Sequence, residues 1–174
     1  MIDLLGLTTY NTHRIFAENY AKNKGYNAGQ TNAFVHAYVS AMLTQDYGSF
    51  IAKTVGDYRE NNTTRDYYKG GNDYRMDTFR DLYNNREGRN IGEYVKTIDS
   101  GNEEITASLV DKALSDGDLI ESINVKHPDP RIPDIEDAPQ NRSDLTKNGK
   151  FNGFSDDFDR EDVPGSWKPP TSGP

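Results

Sequence analysis

All eight prolines of this 174-residue chain lie at Pro128 or beyond, and the first 127 residues contain none. Proline locks φ and removes a backbone donor, so it interrupts helices and central strands alike. The leading stretch is therefore free to build long helices, whereas the proline-punctuated His127–Pro139 stretch cannot propagate one. This division predicts a helical domain over residues 1–126, near the common domain size, and an extended or disordered tail over residues 127–174. The low hydrophobic content, 33%, belongs partly to that tail. Beyond Asn141 aliphatic side chains are few and Gly, Asp and Asn many, a composition that cannot offset its own ordering entropy.

Within the leading stretch, apolar residues recur at three- and four-residue spacing, the mark of helices with one buried face. Ile15, Phe16, Ala17, Tyr20 and Ala21 outline a first helix from about Thr12 to Lys24, stopped at Gly25. The second, from about Thr31 to Asp46, is apolar around most of its circumference: Ala33, Phe34, Ala37, Tyr38, Ala41 and Met42 on one side, Val35, Val39 and Leu43 on another. Such a helix belongs at the centre of a bundle. Phe50, Ile51, Val55 and Tyr58 mark a third. Asp73 is placed to cap a fourth carrying Met76, Phe79 and Tyr83, with Gly88 as its stop. Ile91, Tyr94, Val95 and Ile98 mark a fifth, and Asn102 caps a sixth that carries Ile105, Leu109, Val110, Ala113 and Leu114. No run alternates as a strand does. The expected fold is all-α, a compact bundle of about five or six helices around a buried central helix, with an extended C-terminal tail.

Several function classes are excluded at this level. No stretch approaches the roughly 20 consecutive apolar residues of a membrane-spanning helix. Met1-Ile2-Asp3-Leu4-Leu5-Gly6 has neither the basic nor the apolar region of a secretory signal. The expected location is the cytoplasm at synthesis, with incorporation into a virion or signal-independent export beyond it. A chain without cysteine holds no disulfide, thiolate metal site or cysteine nucleophile. The net charge of −8 argues against nucleic-acid binding, which draws its affinity from Lys and Arg on phosphate. Nucleophile-elbow, phosphate-cradle, His-Glu-x-x-His and complete EF-hand motifs are all missing.

Polar residues on otherwise apolar helices are the remaining candidates for chemistry. His36 lies in the all-round apolar helix, and Asp57 and Glu60 are three apart on the third, so their carboxylates can share a face. Asp77, Asp81, Asn84 and Asn85 form a polar stripe on the fourth. Should these faces converge, His36, Asp57, Glu60 and Asp81 could hold a divalent metal or run general acid–base chemistry. The competing reading makes His36 a hydrogen-bonded core residue, the stripe a solvated helix face, and Asp57 and Glu60 partners of nearby arginines.

The segments GQTNAFVHAYVSAML, GDYRE and DLYNNREGRNIG, spanning Gln30 to Gly92, resemble the successive motifs of an uncharacterised helical domain family of bacterial and phage-associated proteins. That family's pattern runs Asp-Ala-Phe-Arg-His-Ala, then Asp-x-His-Glu, then Met-Asp-Leu-x-Asn-Asn-x-x-Gly-Arg-x-Ile-Gly. The resemblance implies that His36, Asp57, Glu60, Asp81, Asn84, Asn85, Gly88 and Arg89 occupy its polar positions and cluster in space. This chain departs from the pattern at Val35, where Arg is usual, at Arg59, where a second His is usual, and at Arg80, where Met is usual. An arginine stays protonated and neither binds a metal nor shuttles a proton, which removes any two-histidine mechanism. What remains is a polar network, with Asn84, Asn85 and Arg89, that specifies packing.

In the tail, Phe151, Phe154, Phe158 and Trp167 are set among Asp156, Asp157, Asp159, Glu161 and Asp162. Aromatic anchors in an acidic segment suit docking along a protein partner, where charge assists encounter and rings supply buried area. The function expected from the sequence is a non-enzymatic interaction or assembly protein without a cofactor, either a phage virion component or a secretion-associated protein. The alternative is a hydrolase-like bacterial effector using the His36, Asp57, Glu60 and Asp81 set, with a divalent metal as its one candidate cofactor.

Overall fold

Between Ala28 and Gln45 the chain carries no Asp, Glu, Lys or Arg, and this stretch becomes the axis of the fold. The computed structural model describes residues 2–62, 72–121, 146–147, 150–151 and 167–171; at 2–7, 57, 60–62, 72–79 and 146–151 that description covers the backbone alone. Within these limits the helices are α1 (Ile2–Lys24), α2 (Ala28–Tyr47), α3 (Ser49–Asn62), α4 (Asn72–Asp99) and α5 (Glu103–Ser115). α2 packs against each of the other four, which makes it the buried central helix that its composition requires. Two-residue strands, β1 (Thr146–Lys147) and β2 (Lys150–Phe151), pair antiparallel in the tail, with Thr146 opposite Phe151. Among the described residues the fold is all-α apart from that pair, and no described helix is long and apolar enough to cross a membrane. The boundary expected at 126/127 falls outside the described residues.

Local chemistry explains most helix ends. Asn27 caps α2 through a capping box, its side chain accepting from the Gln30 N–H at 2.9 Å while Gln30 Oε1 accepts from the Asn27 N–H at 3.2 Å. Asn102 caps α5 by accepting the Ile105 N–H at 2.9 Å. Gly25, Gly48, Gly101 and Gly117 take positive φ at the turns. α1 meets α2 through stacked rings, Tyr20 on Phe34 at 4.9 Å and Phe16 on Tyr38 at 5.0 Å. Buried Gln45 ties three elements together. Its amide donates to Thr106 Oγ1 at 3.0 Å, and its Oε1 accepts the Gly101 N–H at 2.9 Å, holding the α4–α5 turn against the end of α2.

The structure corrects three expectations. α1 begins at Ile2, ten residues before the expected start at about Thr12. Asp73, expected as a cap, lies inside a helix that begins at Asn72. The expected fourth and fifth helices are one continuous helix, because Gly88 is not a stop. Gly88 and Gly92, one turn apart on α4, both face the α2 backbone. A Cβ at Gly92 would lie 2.5 Å from the Ala41 carbonyl oxygen and 2.8 Å from Thr44 Cβ, and one at Gly88 would overlap the Ala37 carbonyl. Glycine is needed here for close approach of two backbones, and Ala37 and Ala41 supply the matching small residues.

This crossing generates a test. Helix propensity alone favours Gly88→Ala by about 1 kcal/mol, yet overpacking against Ala37 should reverse the sign and cost about 1–3 kcal/mol. Urea denaturation should show that loss, while Asn90→Ala on the exposed face of the same turn should change stability by less than about 0.5 kcal/mol. A Gly88→Ala variant as stable as the parent would mean that the helices do not cross at this point.

Candidate functional site

The close crossing leaves α4 buried from Arg80 to Arg89, so Asp81, Asn84 and Asn85 of the stripe expected to be solvated are enclosed. Buried polar groups need partners, and each of these has its own. Asn85 Oδ1 meets His36 Nδ1 at 3.1 Å, and Asp81 Oδ2 meets His36 Nε2 at 3.3 Å. Arg80 Nε donates to the other Asp81 oxygen at 3.0 Å. The result is a chain of contacts from Arg80 through Asp81 and His36 to Asn85 that links α2 to α4. Gly56 of α3 closes the far side, since a Cβ there would sit 3.1 Å from Asn85 Nδ2.

Both ring nitrogens of His36 are thus occupied, and as placed both face oxygen acceptors. This suits the doubly protonated ring, and it suits a neutral ring once the Asn85 amide is turned end for end. General acid–base work needs one ring nitrogen oriented by a carboxylate and the other presented to a substrate. Here the second nitrogen is committed to Asn85.

A narrow cleft borders this network, lined by Tyr10, His36, Ser40, Gly56, Arg59 and Asn85 together with Val39 and Leu43. Arg59, which stands at the position of the resemblance's second histidine, lies over the Tyr10 ring at 4.1 Å, a cation–π contact between α3 and α1. Asp57 and Glu60, expected to join the site, have side chains outside the described residues. So do the side chains of Met76, Asp77, Phe79 and Phe151, and Phe154 and Phe158 altogether. Among the described residues no three His, Asp or Glu side chains converge as a metal site.

Asn84 does not join His36. It faces the segment after α5, donating through Nδ2 to the Ile120 carbonyl and accepting the Ile120 N–H, both at 2.9 Å. That side-chain amide pairs with a backbone as a neighbouring strand would, and it seals Ile120 into the core. Arg89, one turn beyond Asn85, is buried. Trp167, expected to reach a partner, sits on the protein's own body. Its ring packs on the core and meets Tyr94 edge-on at 5.9 Å, and its backbone N–H donates to Glu87 Oε2 at 3.2 Å.

Glu87 is the residue that the sequence reading missed. It is 0% exposed, with Arg86 Nη2 on its other oxygen at 3.1 Å. Burial pushes its carboxyl above the ordinary range, against the lowering effects of Arg86 and of the Trp167 N–H. A signal was present in the sequence: Glu87 lies four residues after Tyr83 and four before Ile91, in the apolar stripe of α4. The family model described as a domain of unknown function (DUF6973) matches residues 6–118. No curated protein and no solved structure matches the chain.

The raised Glu87 carboxyl has a directional consequence for stability. The folded state holds this proton more tightly than the unfolded chain, so the contribution is complete below the ordinary Glu value, about 4.3, and is lost as pH rises through the raised folded value. Glu87→Gln removes that dependence. Urea midpoints from pH 4 to 8 should show the variant gaining on the parent as pH rises; parallel curves would show that burial does not perturb this group.

Proposed function

The chain belongs to the DUF6973 domain family, and we propose that within it this protein is a non-enzymatic interaction or assembly protein. The setting we propose is a phage virion or a bacterial secretion-associated complex, with Phe151, Phe154 and Phe158 of the acidic tail as the partner-binding anchors. The observation that carries this reading is the closure of His36, whose two ring nitrogens are bound to Asp81 and Asn85. A histidine held on both sides fixes the register of α2 against α4 and has no nitrogen left for a substrate. Arg59 in place of a second imidazole supports the same reading, because a guanidinium cannot exchange protons at neutral pH.

The cleft beside His36 supports a second reading, a hydrolase-like effector in which His36 turns away from Asn85 to act as base. The two readings part at His36→Gln. Under the interaction reading the variant loses about 1–3 kcal/mol of stability from its broken part-buried hydrogen bond to Asn85 and lost ion-pair contact with Asp81, as urea denaturation would report. It still retains the partner in affinity capture from the native source. The Phe151→Ala, Phe154→Ala, Phe158→Ala triple variant should do the reverse, folding normally and losing that partner. An unchanged stability with loss of biological effect in His36→Gln would favour the effector.

A further inference from the structure

Trp167 is the chain's one tryptophan, and it lies 52 residues beyond the end of α5 at Ser115. It nevertheless donates a hydrogen bond to Glu87, which is fully buried. We propose that the slot on α4 between Glu87 and Tyr94 is a receptor site for an aromatic chain segment, and that Trp167 occupies it in cis as a displaceable plug.

The recognition chemistry has two parts. Glu87 Oε2 accepts a backbone N–H, a donor that every residue but proline carries, so this bond sets the position of the incoming chain without reading its side chain. Selectivity comes from the ring seat, where Trp167 lies edge-on to Tyr94 and against the buried helix core. After the ring the chain leaves the body, with Lys168, Pro169, Pro170 and Thr171 all exposed. Among the described residues the contact consists of one ring seat and one hydrogen bond from a neutral donor. The Arg86 guanidinium holds the other Glu87 oxygen from within α4, so the carboxylate keeps a charged partner when the plug leaves. The slot can therefore be emptied without stranding its acid. The inference goes beyond the partner reading above, because it assigns a receptor surface to the body, and it stands or falls independently of what the three phenylalanines bind.

The single tryptophan makes the test direct in the full chain. With 5-fluorotryptophan incorporated, the ¹⁹F resonance should lie away from that of a free peptide of residues 164–174, and acrylamide should quench Trp167 emission several-fold less than that of the peptide. Unlabelled peptide at millimolar concentration, the order of the effective concentration of a tethered segment, should move the protein resonance to the free position, and a peptide with alanine for the tryptophan should not. Tyr94→Ala should raise quenching to near the free-peptide level. A resonance and quenching equal to those of the peptide in the parent protein would overturn docking. A docked signal indifferent to the peptide would make Trp167 a fixed part of the core, and one that appears only as protein concentration rises would assign the slot to a neighbouring copy's tail; either result would overturn the cis plug.

Discussion

The contact on which the rest of the structure depends is the backbone crossing of α2 and α4. Gly88 and Gly92 lie against Ala37 and Ala41, with no side chain thick enough to hold the helices apart. Once two backbones approach this closely, residues flanking the contact on either helix are enclosed whether or not they are apolar. On α4 those residues are Asn84, Asn85 and Glu87, and the need to satisfy them propagates outward. Asn85 takes His36, Asn84 takes the Ile120 backbone, and Glu87 takes Arg86 and the Trp167 N–H. Packing of Ile120 and the seat of Trp167 thus follow from a glycine pair.

Burying so many polar groups brings little net stability, because each exchanges good hydrogen bonds to water for good hydrogen bonds within the protein. Charged members carry a desolvation cost that pairing only partly offsets. The gain is uniqueness. A bundle held by Phe16, Phe34 and Tyr38 alone could slide by a turn along its aromatic seam, whereas a shift of α4 by one turn would separate Asn85 from His36 and Asn84 from Ile120 together. On the reading proposed above, the network that the resemblance implied as a site serves in this chain to align the helices. It divides into two parts, one facing α2 and α3 and the other facing the end of the body.

The parts legible in the sequence were those decided within a few residues. Asn102 as a cap, Gly25 as a stop and a second helix apolar around most of its circumference are local facts, and the structure agrees with each. Gly88 shows where local reasoning stops. Glycine ends helices because it tolerates positive φ, and it also sits inside them where another backbone passes; the residue alone does not say which. The repeat of glycine at Gly92 with the same spacing as Ala37 and Ala41 was the distinguishing pattern. Splitting the helix at Gly88 also hid Glu87, whose position between Tyr83 and Ile91 shows as part of a buried stripe only when the helix is continuous.

From its composition and spacing, the sequence by itself determined that the body is helical, that α2 is central and that the prolines are confined to the tail. Periodicity and proline sterics act over single turns and need no knowledge of distant residues. Only the tertiary structure decided which polar residues are enclosed and with whom. His36 and Asn85 are 49 residues apart, Asn84 and Ile120 are 36 apart, and Glu87 and Trp167 are 80 apart. Such partners are chosen by the distance between helix backbones, and that distance was set by the absence of side-chain atoms at Gly88 and Gly92.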